Sequence, residues 1–399
     1  MTPGPRSRIV GIDVARALAL LGMVSAHMID QTSSNGTEVD AWFQLVAGRS
    51  AALFAVLAGV SIVLTTRATG TSAGEVALRP GARRAVAVRA ALIAAIGLVL
   101  GIPDVGVAVI LVYYGALFCC AIPFLRWQAR SLLILSICCA LASPVASLLL
   151  RTILPPPGLV VPEPSSLLDP LGLLTEVLVT GYYPVLTWVT YLFVGMAVGR
   201  LDLRSKAVAQ RMVLLGLSLA IAALGVSAIL KRSPGVQASL IDSYDITGTV
   251  STFGELNRQI TLGFFGITPV DSWWWLGIWA PHSGSIADLA HTAGCAVTVL
   301  GAALLITHRL SPPTWRAVHI AAGAGTMTLT LYAVHILLLG APEFLSWTED
   351  VGFQIVVLGS LGALFAATHS KGPLELAVSR TQRLFSREDP LRDPFDLLQ

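Results

Sequence analysis

The sequence predicts an all-α, polytopic membrane helix bundle of about ten transmembrane helices, with both termini in the cytoplasm. Three observations predict it. Of the 399 residues, 55% are hydrophobic and 12% charged, against about 25% charged in soluble domains. The apolar residues fall into ten runs, each near the ~20 residues a helix needs to cross the hydrocarbon core. Basic residues favour one side of these runs. With the N-terminus inside, the inner segments and the span ends abutting them hold 20 Lys and Arg, and the outer segments hold four, as the positive-inside bias requires.

The runs lie at about 9–30, 41–65, 84–102, 105–125, 131–152, 181–200, 211–230, 286–307, 318–340 and 351–368. The first is too long for the core of a cleavable leader and is expected to stay as a span. The outer segment 153–180 opens with "ILPPPGLVVPEP", whose prolines preclude a continuous helix. A second long outer segment, 231–285, ends in "DSWWWLGIWAPHSGS", where tryptophans suit the membrane–water interface. Residues 1–368 form a single transmembrane domain and 369–399 a polar cytoplasmic tail. No internal repeat, phosphate-binding loop or nucleic-acid module is evident. The five cysteines fall in apolar runs and read as small buried hydrophobes. The seven histidines are scattered without carboxylates at ligand spacing, so no metal site is expected.

The first run, "IDVARALALLGMVSAH" (Ile12–His27), carries Asp13, Arg16 and His27 in otherwise apolar sequence. At about 100° per residue, Arg16 and His27 are about 20° apart after three turns, and Asp13 shares their stripe. Asp13 and Arg16 can pair at (i, i+3). The rise separates Arg16 from His27 by roughly 16 Å along the axis. Ionisable groups in a span face a protein interior or a wet cavity. The stripe therefore runs from a charged pair near the inner face to a histidine near the outer face. A structural ion pair and an interfacial histidine are the plainer alternative.

Other polar residues fall near the outer face. Arg49 is either an interfacial arginine with its head in water or a contact to an acceptor near His27. His282 sits with Ser283 and Ser285 just before the eighth run, and Ser285 can cap that helix. Tyr332 and His335, three apart in the ninth run, share a face. Tyr182, Tyr183 and Trp188 can line an acceptor pocket or simply form an aromatic belt. Glu176 reads as solvent-exposed, His291 and His319 as weaker candidates, and His308 and His369 as ordinary cytoplasmic-face residues.

The Arg-ten residues-His pattern of the first run resembles the first-helix motif of acyltransferase-3-type membrane O-acyltransferases, in which the histidine is the catalytic candidate. "GRSAALFAVLAGVSI" (Gly48–Ile62) is similar to the second-helix pattern of those proteins and of two relatives. These are the heparan-α-glucosaminide N-acetyltransferase-like and YeiB-like membrane proteins of the same transmembrane acyltransferase superfamily. "TGYYPVLTWVTYLFVGMAVGR" (Thr180–Arg200) and "GTMTLTLYAVHILLL" (Gly325–Leu339) resemble their later helices, and "APHSGS" (Ala280–Ser285) resembles a motif of actinobacterial members. Two features depart from the pattern. Ala17 follows Arg16 where glycine is common. The first outer loop, 31–40, lacks the histidine that the lysosomal acetyltransferase carries there.

The resemblance implies acyl transfer across a membrane, from cytoplasmic acetyl-CoA or another acyl-CoA to an extracytoplasmic glycan or small acceptor at the cell envelope. Acyl-CoA would be a co-substrate, with no tightly bound cofactor. In that scheme Asp13 and Arg16 hold the donor. His27, or failing it His282 or His335, acts as general base or takes the acyl group first. Arg49, Tyr182, Tyr183, Trp188 and Tyr332 contact the acceptor. A homo-oligomer in the cell membrane is compatible with this reading. The alternative is a small-molecule permease or exporter, since intramembrane charges suit a transporter too. The lack of an inverted repeat and the gathering of charges on one helix argue against it.

Overall fold

The computed structural model describes residues 8–32, 38–68, 76–244, 250–341 and 347–386. Part of the loop 31–40, expected to be the first outer one, and the tail end 387–399 lie outside these residues. No strand occurs among the described residues, only isolated bridges at Thr32–Val39 and Arg67–Leu78.

A helix occupies each of the ten apolar runs. In chain order the helices are α1 (Val10–Met28), α2 (Ala41–Val46), α3 (Arg49–Thr66), α4 (Ala82–Leu100), α5 (Leu111–Ala121), α6 (Ala129–Arg151), α7 (Pro170–Thr175) and α8 (Val185–Gly199). They continue with α9 (Lys206–Leu230), α10 (Pro234–Tyr244), α11 (Phe253–Leu262), α12 (Ile286–Ile306), α13 (Pro312–Ala321), α14 (Thr328–Leu339), α15 (Val351–Ala367) and α16 (Pro373–Ser386). Side-chain caps start several of them: Asp40 for α2, Ser205 for α9, Ser285 for α12 and Asp350 for α15. Each satisfies amide donors that a helix start leaves free.

Five segments are long and apolar enough to cross a membrane: α1, α2–α3 together, α6, α9 and α12. A further apolar pair, 170–180 with 185–199, is bent by 56° and has the form of a broken span or a re-entrant loop. α4 has the length but carries Arg83, Arg84 and Arg89. The segments 111–124, 328–339 and 351–367 are shorter apolar helices.

Continuity differs from the sequence expectation in two runs. The second is two helices joined at Ala47–Gly48, where Gly48 takes φ 72°. The ninth is interrupted between α13 and α14 by a tight turn over Gly323–Thr326. That turn rests on α1, and a Cβ on Gly325 would collide with the Asp13 carbonyl oxygen. The glycines lower helix propensity there and let two backbones meet.

The packing centre is built from α1, α3, α8, α12 and α14. α3 and α8 approach through Gly59 and Gly195, each facing backbone of the other helix, and α9 and α12 through Gly216 and Gly294. Small residues at crossings are how membrane helices gain packing contacts. α6 and α9 turn Leu133, Ile134, Ile137, Leu141, Leu214, Leu215 and Ile221 outward, as a lipid-facing surface requires. The segment 231–285 builds its own small core, in which Leu240, Leu256, Ile260 and Trp275 are buried. On the opposite side, α16 lies against α4 and α14.

Candidate active site

His27 lies in the last turn of α1. Its Nδ1 is 3.0 Å from Nε2 of His335 on α14, with the rings near parallel at 14°. His335 is fully buried. Its Nδ1 is 2.6 Å from Oε1 of Gln354 on α15. The Gln354 amide nitrogen donates to the Thr348 carbonyl at 2.6 Å, which fixes Oε1 as the atom facing His335.

Proton positions follow from this network. His335 Nδ1–H donates to Gln354, so its Nε2 keeps a lone pair. That lone pair accepts from His27 Nδ1–H. His27 is thereby held as the tautomer with a free lone pair on Nε2, for which no partner occurs among the described residues.

His282 is in a turn with φ 56°, a left-handed conformation uncommon outside glycine. Its surroundings impose it. His282 accepts at its carbonyl from Gly266, Pro281 accepts from Phe264, and the Gly284 amide donates to Asp288 at 3.0 Å. Ser285 caps α12 and donates to the Ile278 carbonyl. The ring stacks on Trp188 at 6.4 Å between centroids and meets Tyr183 edge-on at 5.7 Å. Tyr183 also packs on Trp188 and Tyr113. Burial drives the His282 pKa down to about 4, so the ring is neutral at physiological pH. His282 and His27 are close enough to interact electrostatically.

The structure thus brings His27, His335, Tyr332, His282, Tyr183 and Trp188 to one end of the bundle. Tyr332 receives the Ile110 amide at 3.4 Å and leans on the His335 ring. Tyr182 goes elsewhere: its hydroxyl donates to the Leu159 carbonyl and its ring meets Phe265. Arg49, read as an interfacial arginine or an acceptor contact, donates to His291 Nε2 at 3.1 Å and to the Gln44 carbonyl, with its guanidinium over Trp279.

At the other end of α1, Asp13 is buried at 2% exposure. It pairs with Arg16 at 3.5 Å, as the spacing suggests, but more closely with Arg8, at 2.6 and 3.2 Å. Arg16 also donates to Ser61 of α3 at 2.5 Å. Between the two ends the stripe is filled: Leu20, Met23 and Val24 are buried in the core. In this conformation the charged end and the histidine end are separate sites.

Sequence reasoning passed over Gln354, Asp288, Ser61 and Arg8, and ranked His291 low. Gln354 and Asp288 had a signal, being polar residues within apolar runs. Ser61 had none beyond lying in the quoted second-helix motif. Among the described residues no three His, Cys, Asp or Glu side chains gather as a metal site would need.

A protein family described as "Heparan-alpha-glucosaminide N-acetyltransferase, catalytic" matches residues 8–233, more than half of the chain. No curated protein gives a significant match.

Proposed function

The chain belongs to the heparan-α-glucosaminide N-acetyltransferase catalytic family, a membrane acyltransferase-like family, and from that premise we propose that it is an integral membrane acyltransferase. It moves an acetyl or other short acyl group from cytoplasmic acyl-CoA to an extracytoplasmic sugar or small acceptor. The basic-residue bias supports ten spans with both termini inside, in the cell membrane. The observation that carries the reading is the His27–His335–Gln354 network, which leaves a nitrogen with a free lone pair at the end of the first helix.

In this scheme His27 Nε2 takes the proton of the acceptor hydroxyl or amine as that group attacks the thioester carbonyl. The C–S bond breaks, and the departing CoA thiolate recovers the proton from the imidazolium. Direct transfer needs one chemical step where an acyl-histidine needs two, and is preferred for that reason. His335 and Gln354 hold the reactive tautomer, much as an orienting group holds a catalytic imidazole in other acyl-transfer sites. Trp188, Tyr183 and Tyr332 supply apolar faces and hydroxyls for an acceptor ring. Asp13 and Arg16, braced by Arg8 and Ser61, hold the donor at the inner end. Transfer then requires Leu20, Met23 and Val24 to part, so that the thioester reaches His27.

Purified full-length protein given radiolabelled acetyl-CoA and a mixed glycan acceptor tests this. Label should pass to the acceptor in wild type and not in His27→Ala. Equal labelling in both, or no labelling alongside CoA-independent uptake of a solute, refutes it.

A further inference from the structure

Arg200, directly after α8, is buried at 3% exposure. One of its terminal nitrogens donates to the Leu125 carbonyl, but Nε and Nη1 are buried with no hydrogen-bond partner. No carboxylate pairs with it among the described residues. A second cation, Arg67 at the end of α3, lies within electrostatic reach. The two helix ends cannot drift apart to relieve this, because Gly199 packs on Val60 and Val63 of α3.

A guanidinium kept from water with unmet donors is strongly destabilising, and a like charge nearby adds to it. Nearby carbonyls satisfy one nitrogen and leave the rest. Arginine retained under such conditions fits an anion that enters the site, since its planar donors match phosphate oxygens.

We propose that Arg200, with the charge of Arg67, forms a binding site for a phosphate group. Ser61, which holds Arg16, lies six residues before Arg67 on α3, roughly 9 Å along its axis. The site therefore adjoins the donor end. This placement rests on the proposed topology, which puts both ends in the cytoplasm. There a phosphate comes from the nucleotide part of the thioester donor or from an anionic lipid headgroup.

The test uses full-length protein in neutral detergent and in nanodiscs. Probes are pyrophosphate, adenosine 3′,5′-bisphosphate, and phosphatidylglycerol against phosphatidylcholine. Readouts are the thermal midpoint and calorimetric affinity. Without probe, Arg200→Met should unfold no earlier than wild type, because it removes an unsatisfied buried charge. With a phosphate probe wild type should gain stability, whereas Arg200→Met binds about 10- to 100-fold more weakly. Arg67→Gln should show a smaller loss. Arg200→Lys keeps the charge without the planar donors and gives the same comparison should the methionine variant fail to fold. A response to the bisphosphate but not to phosphatidylglycerol assigns the site to the donor, and the reverse assigns it to lipid. An equal response in wild type and variants, or none in wild type to any probe, overturns the site. No probe carries a thioester, so that failure leaves acyl transfer standing, and absent transfer with intact binding refutes only the transfer.

Discussion

His27 and His335 are 308 residues apart in sequence, yet their imidazoles share one hydrogen bond of 3.0 Å. Direction in that bond is set from outside, by Gln354. Replacing Gln354 with Leu frees His335 to flip its tautomer, and His27 with it. kcat should fall about 10- to 1,000-fold, by analogy with other mis-set catalytic imidazoles, with the KM for acyl-CoA little changed. Gln354→Glu keeps an acceptor oxygen and should recover most of the loss. Steady-state kinetics on the three proteins decides this, and an altered KM with unchanged kcat would count against it.

The Asp13 carboxylate is the hinge of the inner cluster. Asp13→Asn leaves Arg16 without its counter-charge, so the protein should lose about 1–3 kcal/mol, less than breaking a fully buried pair costs because Arg8 and Arg16 keep some solvent. The KM for acyl-CoA should rise. Arg8→Ala should cost under about 1 kcal/mol, since the Arg8 side chain is nearly half exposed and Arg16 still faces Asp13. Denaturation in detergent and donor titrations give both numbers.

His282 makes stability sensitive to acid. Its pKa is 6.5 in an unfolded chain and about 4 in the folded one. Between those values the unfolded state binds more protons, so stability is complete above pH 6.5 and falls as the pH drops toward 4. The loss should be about 1–2 kcal/mol, less than the full shift implies because the ring keeps partial solvent contact. His282→Asn tolerates the left-handed backbone and should flatten this part of the profile. Thermal midpoints from pH 7 downward, in wild type and variant, test it.

Gly195 lets α8 touch the backbone of α3 at Val56. Gly195→Leu should cost about 3 kcal/mol or more, at the upper end for overpacking, because a carbonyl cannot move aside as a side chain can. Gly225→Ala, where the space is open, should be neutral or mildly stabilising. Size-exclusion profiles and melting in detergent separate the two.

Much of this was legible in the sequence, for identifiable reasons. Helical period alone placed Asp13, Arg16 and His27 on one stripe, because a single helix needs no tertiary information. The pairing of His27 with His335 needed the order of helices in space, which periodicity does not carry. Adjacent Tyr182 and Tyr183 part company because Gly181–Pro184 is not helical, so no repeat predicts their directions. The partners of Arg49 were illegible for a similar reason: the break at Gly48 turns the start of α3 toward α12 and His291. The interruption of the ninth run was visible in "AAGAGT" as a glycine-rich stretch, but the apolar run hid it.

If His27 has the proposed role, the contact of α1 with α14 and α15 also sets when the protein becomes active. The segment bearing His27 is synthesised before its partners, and Gln354 leaves the ribosome some 330 residues later, so a nascent chain holds an untuned imidazole until those later helices insert. The family match ends at residue 233, well short of that partner. Chimeras exchanged at that boundary should therefore assemble yet stay inert unless both donors orient the imidazole alike.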